Sequence, residues 1–292
     1  SAGRCGSEPS GVAMLQAFAV APDLAPWVEG AVVVLLAAGQ GPSRFPAMPQ
    51  AMLTARLLRP AGQAAEVLCP PITFHAPSTV PTRHAHACDL TALGLVLRPE
   101  AAVVLMGVTG AAGAARVDTV LPWAALAGPD EAARAEEALD QAADAAGRLS
   151  ALADSVRRAL ARQARGDDLA QAQRLCTQVG RLGAQAGDGL GLGQRQLERR
   201  CQALIGMTPR TFQRLVRLNA ALSLALHDPG GFSGAGAALA LEAGYCDQSH
   251  LGRDLRRLAG APLGALLASA RPDGPGWALA SHRLMRLRDA RR

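Results

Sequence analysis

Four polar residues, Asp247, Gln248, Ser249 and His250, open one helix-length segment of this 292-residue chain, "CDQSHLGRDLRRLAG" (246–260). Asp247 is of the type that caps a helix, its carboxylate accepting from the free amides of the first turn. Leu251, Leu255 and Leu258 follow at i, i+4 and i+7, the spacing of a helix that buries one apolar stripe. At about 100° per residue, the opposite face carries Ser249, Gly252, Arg253, Arg256 and Arg257, with Gln248 and His250 beside it near the N-terminus. Gln, Ser, His and Arg can bond base edges, and arginines farther along such a helix reach phosphates. A helix that presents its first turn this way is suited to a DNA major groove.

A second copy stands 54 residues upstream, in "LGQRQLERRCQALIG" (192–206). Leu197, Cys201 and Leu204 repeat the apolar spacing, Arg199 aligns with Arg253, and Gly206 aligns with Gly260. The face opposite this stripe holds Arg195, Glu198, Arg199 and Gln202. Each segment reads as the second helix of a helix-turn-helix, with "GAGAALALEA" as the first helix of the downstream unit and Gly244 as its turn. Two such units can place helices in successive major grooves, about one DNA turn apart. Between them, "TPRTFQRLVRLNAALSLAL" (208–226) opens with Thr208 as cap and Pro209 at the first helical position. Its stripe of Phe212, Leu215, Leu218, Leu222 and Leu226 would hold the units at a fixed separation, leaving Arg210, Arg214 and Arg217 for solvent or phosphate.

With these residues in place, the chain resembles the AraC/XylS family of bacterial transcription regulators over residues 168–270, most specifically in "AGYCDQSHLGRDLRRLAG". The resemblance implies an all-α DNA-binding domain of seven helices, with the long one at 208–226 joining two helix-turn-helix units. It also implies base-facing roles for Arg195, Glu198 and Arg199 in the first unit, and for Gln248, Ser249, His250, Gly252 and Arg253 in the second. Arg256 joins them as a DNA contact on the same face. Cys201 and Leu251 stand where the family often has Phe, and Gly193 replaces the usual Ser or Thr cap.

The elements that must position these residues follow from composition and charge. Hydrophobic residues make up 49% and charged residues 18%, which is a globular balance. All 30 basic residues are arginine. Residues 1–150 hold 9 Arg against 13 acids, and residues 151–292 hold 21 Arg against 11. The basic half is therefore the half that suits a polyanion. Six cysteines without CxxC spacing fit reduced thiols in a cytoplasm. The apolar run "AVVVLLAA" is shorter than the roughly 20 residues a bilayer demands, and no signal peptide is visible.

The expected architecture is α+β. Residues 1–128 form a β-containing domain for effector binding or dimerisation, with extended segments in "GAVVVLLAAG", "AMLTARLL", "AEVLC", "TALGLVLRP" and "AAVVLMGV". Residues 129–167 form a helical linker, 168–270 the DNA-binding domain, and 271–292 a basic C-terminal tail, whose end "SHRLMRLRDARR" (281–292) is expected to be disordered. More loosely, residues 20–128 resemble a domain of unknown function that often precedes this DNA-binding module. In "TRHAHACDL" an extended chain would put His84, His86 and Cys88 on one face, with His75 as a fourth ligand for zinc or copper. GxSxG, P-loop and HExxH motifs do not occur, and Cys69 lacks the neighbours an activated thiolate needs. The expectation is thus a cytoplasmic, non-enzymatic, sequence-specific DNA-binding regulator without a cofactor. Its partners would be double-stranded DNA, a small-molecule effector and a second copy of the chain, with no membrane. Two rivals stand beside it: a metal- or thiol-responsive regulator acting through His84, His86 and Cys88, and an architectural protein that binds DNA without sequence preference.

Overall fold

The computed structural model describes residues 15–38, 41–58, 66–86, 88–107, 116–163, 167–227, 236–271 and 275–279. Strands β1 (Leu15–Phe18), β2 (Val28–Leu36), β4 (Ala51–Leu58), β5 (Val67–His75), β7 (Leu90–Leu97) and β8 (Val120–Pro122) form one sheet in the order β1-β2-β7-β4-β5-β8, antiparallel throughout. A short ribbon of β3 (Ser43–Phe45) and β6 (Thr82–His84) lies apart from it.

Strand alternation gives this sheet two different faces. Leu53, Ala55 and Leu57 of β4 and Ile72 and Phe74 of β5 point into the main core. The helices α1 (Pro99–Leu105), α2 (Ala124–Ala127), α3 (Pro129–Gln141) and α4 (Ala145–Gln163) contribute to that core through Val104, Trp123 beside α2, Leu139 and Leu152. The opposite face carries Val34 and Leu36 in a separate apolar cluster with Trp277 and Ala278.

One expectation changes here. The segment "AAVVLMGV" was expected to be extended, yet 99–105 is helical. Pro99 sits at the first helical position and Glu100 in the first turn, and Ala101 to Leu105 are all buried. Continuous burial removes the periodicity that separates a short strand from a helix. Residues 129–163 fold as the two helices α3 and α4, which pack on the N-terminal sheet. Ile72 N–H donates to Glu136 Oε1 (3.2 Å), Trp123 Nε1 donates to Ser155 Oγ (2.8 Å), and Arg148 pairs with Glu66 (2.9 Å). These bonds fasten α3 and α4 to the sheet and its flanks.

The described residues of the all-α part hold seven helices: α5 (Asp168–Leu182), α6 (Ala186–Leu190), α7 (Gln194–Leu204), α8 (Pro209–His227), α9 (Gly236–Glu242), α10 (Gln248–Asp254) and α11 (Leu263–Ser269). A π-helical turn over Leu255–Ala259 extends α10. The apolar core is continuous from the sheet through α1 and α5 to α8.

Candidate nucleic-acid interface

In the downstream unit, α9 and α10 are joined at Gly244, whose φ of 79° is open to glycine without steric cost. Asp247 caps α10 by accepting from His250 N–H (2.7 Å). Leu251, Leu255 and Leu258 are buried at 2%, 3% and 5% exposure, so the phase read from their spacing holds. Gln248, Ser249, Arg253, Arg256 and Arg257 are exposed on the other side. His250 is only half exposed, because its ring stands edge-on to Tyr245 with centroids 5.1 Å apart. Gln248 lies across Gly236, where a Cβ would come within 2.6 Å of its Nε2, so a glycine at the start of α9 makes room for it.

The upstream unit repeats the plan with α6 and α7, turning at Gly191 (φ 64°). Leu197 and Cys201 are fully buried, while Leu204 is half-buried. Burial pushes the Cys201 thiol up to about 11, so it is a small apolar filler and not a nucleophile. Gly193 has no side chain to cap α7, but Gln196 Oε1 accepts from Gly193 N–H (3.1 Å), which supplies the reciprocal half of a capping box. Arg195, Glu198 and Arg199 are exposed and make no hydrogen bond or ion pair among the described residues. Arg200 instead donates to Gln171 (3.0 Å), which ties α7 back to α5.

Helix α8 matches expectation along its apolar stripe, with Phe212, Leu215, Leu218, Leu222 and Leu226 all buried and Thr208 accepting from Thr211 N–H (3.2 Å). Its arginines do not. Arg214, expected to be free for solvent or phosphate, is held by Asp254, a carboxylate only 1% exposed near the end of α10. Asp254 also holds the Arg214 guanidinium more firmly protonated. Arg217 donates to the Gly244 carbonyl (3.1 Å) and stacks over Tyr245, 5.3 Å from the ring centroid. Both arginines fix the downstream unit on α8. The one buried acid of this unit, Asp254, went unread because only its burial reveals that it needs a cation.

The two helix ends that face the N-terminal half are alike. Gly206 (φ 80°) and Gly260 (φ 77°) terminate the two arginine-faced helices in the same left-handed conformation. The first end meets Arg116, which donates to the Leu204 carbonyl (3.5 Å) and to Gly107 O (2.6 Å). The second end meets Ala47 and Pro81. Ala47 N–H donates to the Leu258 carbonyl (2.6 Å), and Pro81 lies against Gly260. That carbonyl has no ordinary helical donor, because the residue four places on is Pro262, which lacks an N–H.

A cavity of about 420 Å³ opens on the face of the sheet away from α3 and α4. Its floor includes Met52, Thr54 and Arg56 of β4 with Thr73 and His75 of β5, and Phe45, His84 and Trp277 stand around it. Sequence reading missed this site, although alternation in "MLTAR" puts Met52, Thr54 and Arg56 on one face. Thr54 Oγ1 lies 2.8 Å from Thr73 Oγ1 and 3.0 Å from His75 Nε2. Burial, with His84 and Arg56 nearby, lowers the His75 imidazole to about 4, so it is neutral at neutral pH. The third wall comes from the C-terminal segment. Trp277 Nε1 donates to Ser43 Oγ (2.7 Å) and Pro275 O accepts from Arg44 N–H (2.7 Å). Residues 275–279 of the basic tail are therefore docked; the stretch expected to be disordered, 281–292, lies outside the described residues.

The cluster expected at His84, His86 and Cys88 does not assemble. Strand β6 ends at His84, so the alternation that would align all three stops before His86. Among the described residues no three His, Cys, Asp or Glu side chains come together as metal ligands. His84 instead packs edge-on against Phe45 and His75, at centroid distances of 5.4 and 5.8 Å. No helix among the described residues is long and apolar enough to cross a membrane.

Residues 187–269 match the family described as a helix-turn-helix domain. No curated protein matches the chain. Among solved structures, ToxT from Vibrio cholerae O395 is similar over 82% of this chain and 96% of its own, at 10% identity and a TM-score of 0.42. Unsaturated fatty acid-bound ToxT from Vibrio cholerae strain SCE256 is similar over 81% of this chain and 94% of its own, at 10% identity and a TM-score of 0.43.

Proposed function

We propose that this protein, whose residues 187–269 form a helix-turn-helix domain of AraC type, is a sequence-specific DNA-binding transcription regulator of the cytoplasm. The observation that carries this reading is the repeated unit. Two helices, each closed by a left-handed glycine and each buried on one stripe, expose Arg195, Glu198 and Arg199 in one copy and Gln248, Ser249 and Arg253 in the other. Such side chains read base edges directly. Arg256 is placed farther along α10 to meet phosphate, and such contacts supply affinity that falls with salt. His250, braced on Tyr245, acts with less freedom than its neighbours.

The N-terminal domain is the sensor in this reading, and the cavity over β4 and β5 is where a small-molecule effector binds. Its volume falls in the ordinary range for ligand pockets, roughly 300–1,000 Å³, and its mostly apolar lining with a few convergent polar groups is the usual make-up of one. The rival of a metal-responsive regulator loses its cluster, as above. The architectural rival is settled by selection from a random DNA pool with the full chain at near-physiological salt. A recovered motif of two short blocks, about one helical turn apart, is expected. Binding that enriches no sequence would replace regulation with non-specific packaging.

A further inference from the structure

The cavity and the two arginine-faced helices are separated by very little protein. Two extended segments, 47–50 and 76–78, bridge each other at Met48 and Ser78, each donating its N–H to the other's carbonyl (3.0 and 2.9 Å). In an extended chain successive residues face opposite ways. Met48, Gln50, Ala76 and Ser78 line the cavity. Ala47, between Phe45 and Met48, bonds the Leu258 carbonyl and accepts from Asn219 Nδ2 (3.4 Å). Pro49 and Pro77 line a small cleft against Arg116, Leu204 and Ile205. One layer of backbone therefore touches the cavity on one side and the ends of both arginine-faced helices on the other.

The polar groups of the cavity define what would fit it. Asp118, the acid in the lining, already accepts from Thr79 N–H (2.7 Å) and from its hydroxyl. Arg56, on the cavity floor, makes no hydrogen bond or ion pair among the described residues. Gln50 gives its amide to Glu29 (2.9 Å), which leaves its buried Oε1 without a partner, and the buried His86 Nε2 has none either. Buried polar atoms in this condition are costly unless something bonds them. Leu36, Met52 and Trp277 supply apolar wall.

We propose that this cavity takes a small amphipathic anion, its acidic end on Arg56 and its apolar body against Met52 and Trp277, and that its occupancy is passed through the bridged 47–50 and 76–78 wall to the glycine turns ending both arginine-faced helices. The proposal rests on the reading of the cavity as an effector site. Because the wall grips the same turn of each unit, a shift of the Met48–Ser78 bridge changes the relative setting of the two helices, and with it the spacing of DNA sites they fit together. The Pro275–Leu279 strap closes the loop physically, since it leaves the end of the DNA-binding domain and seats its indole on the cavity wall.

The test uses the full chain and two probes that share one body: 8-anilinonaphthalene-1-sulfonate, which is anionic, and N-phenyl-1-naphthylamine, its neutral twin. One sulfonate probe per chain is expected, and Arg56→Gln should weaken it about tenfold or more, as loss of a charged hydrogen bond does, while changing the neutral probe less than about twofold. Amide hydrogen exchange, read on the wild-type chain so that no variant need fold, should change on probe binding at Ala47 and at both 204–206 and 258–260. Sulfonate binding indifferent to Arg56→Gln overturns the ligand class, and unchanged exchange at both turns with probe bound overturns the route. DNA selection run beside it separates the two levels. If a DNA motif emerges while exchange is unmoved, the route falls and the regulator reading stands. If no motif emerges with or without probe, the regulator reading falls and takes this proposal with it.

Discussion

Arg199 and Arg253 occupy equivalent places in the two units and are both exposed, whereas Arg214, which looked equally available from its spacing, is consumed by a buried acid. The three should therefore respond differently to truncation. Arg199→Ala and Arg253→Ala should each cost about 1–3 kcal/mol of DNA binding and relax preference at one base position, measured by titrating a selected site and its single-base variants. Arg214→Ala should leave base preference alone and lower folding stability by roughly 3–5 kcal/mol in denaturant unfolding, because Asp254 then stays buried without its cation. An unaltered stability would remove Arg214 from the framework and return it to the DNA-facing set. His75 carries a pH signature of its own. Its imidazole titrates near 4 when folded against an ordinary 6.5, so the unfolded chain binds the extra proton between these values. Its contribution is present above about 6.5 and is lost as pH falls towards 4. Replacing His75 by Gln should flatten that part of the stability profile.

Among the elements, the two arginine-faced helices were legible almost residue by residue. The positions of Leu251, Leu255 and Leu258, the Asp247 cap and the Gly244 turn all follow from local spacing and capping chemistry, which act over a few residues. Helix α1 was not legible, since an apolar run buried on all sides has no period to betray it. The glycines that end the two units allow a comparison. Both sit at positive φ, so alanine should destabilise each by about 1 kcal/mol or more. At Gly206 a Cβ would also fall 2.5 Å from Arg116 Cβ, while at Gly260 the nearest atoms of Pro81 are 3.7 Å away. Gly206→Ala should thus cost more than Gly260→Ala in thermal or denaturant unfolding. Equal losses would mean that the Arg116 contact gives way freely.

At the scale of the whole molecule, the separation into a β-rich N-terminal half and a helix-turn-helix half is less complete than charge and pattern suggest. The apolar core runs through both, and the segment after α11 returns to the sheet. Trp277, 5% exposed and bonded to Ser43, is part of the N-terminal body although it lies near the other end of the chain. Trp277→Ala should lower stability by about 3–5 kcal/mol, the usual loss for removing a buried aromatic. The fall should appear in unfolding followed by probes in the N-terminal half. A loss confined to the C-terminal half would show that the strap stabilises only the domain it leaves.

What the sequence determined by itself was whatever depends on short-range periodicity: the helix faces of α7, α8 and α10, their caps and turns, and the strands that alternate or are bounded by glycine and proline. From these alone, with a close family resemblance, came the α+β order and the helix-turn-helix domain. Only the tertiary structure decided which charges are spent. It gave Arg214 to Asp254, put Arg56 on a cavity floor, separated His84 from Cys88, and brought Trp277 from the far end of the chain onto the sheet. The physical reason is that spacing along a chain reports which way a side chain points. What it meets there depends on pairings across tens to hundreds of residues, and these leave no periodic trace.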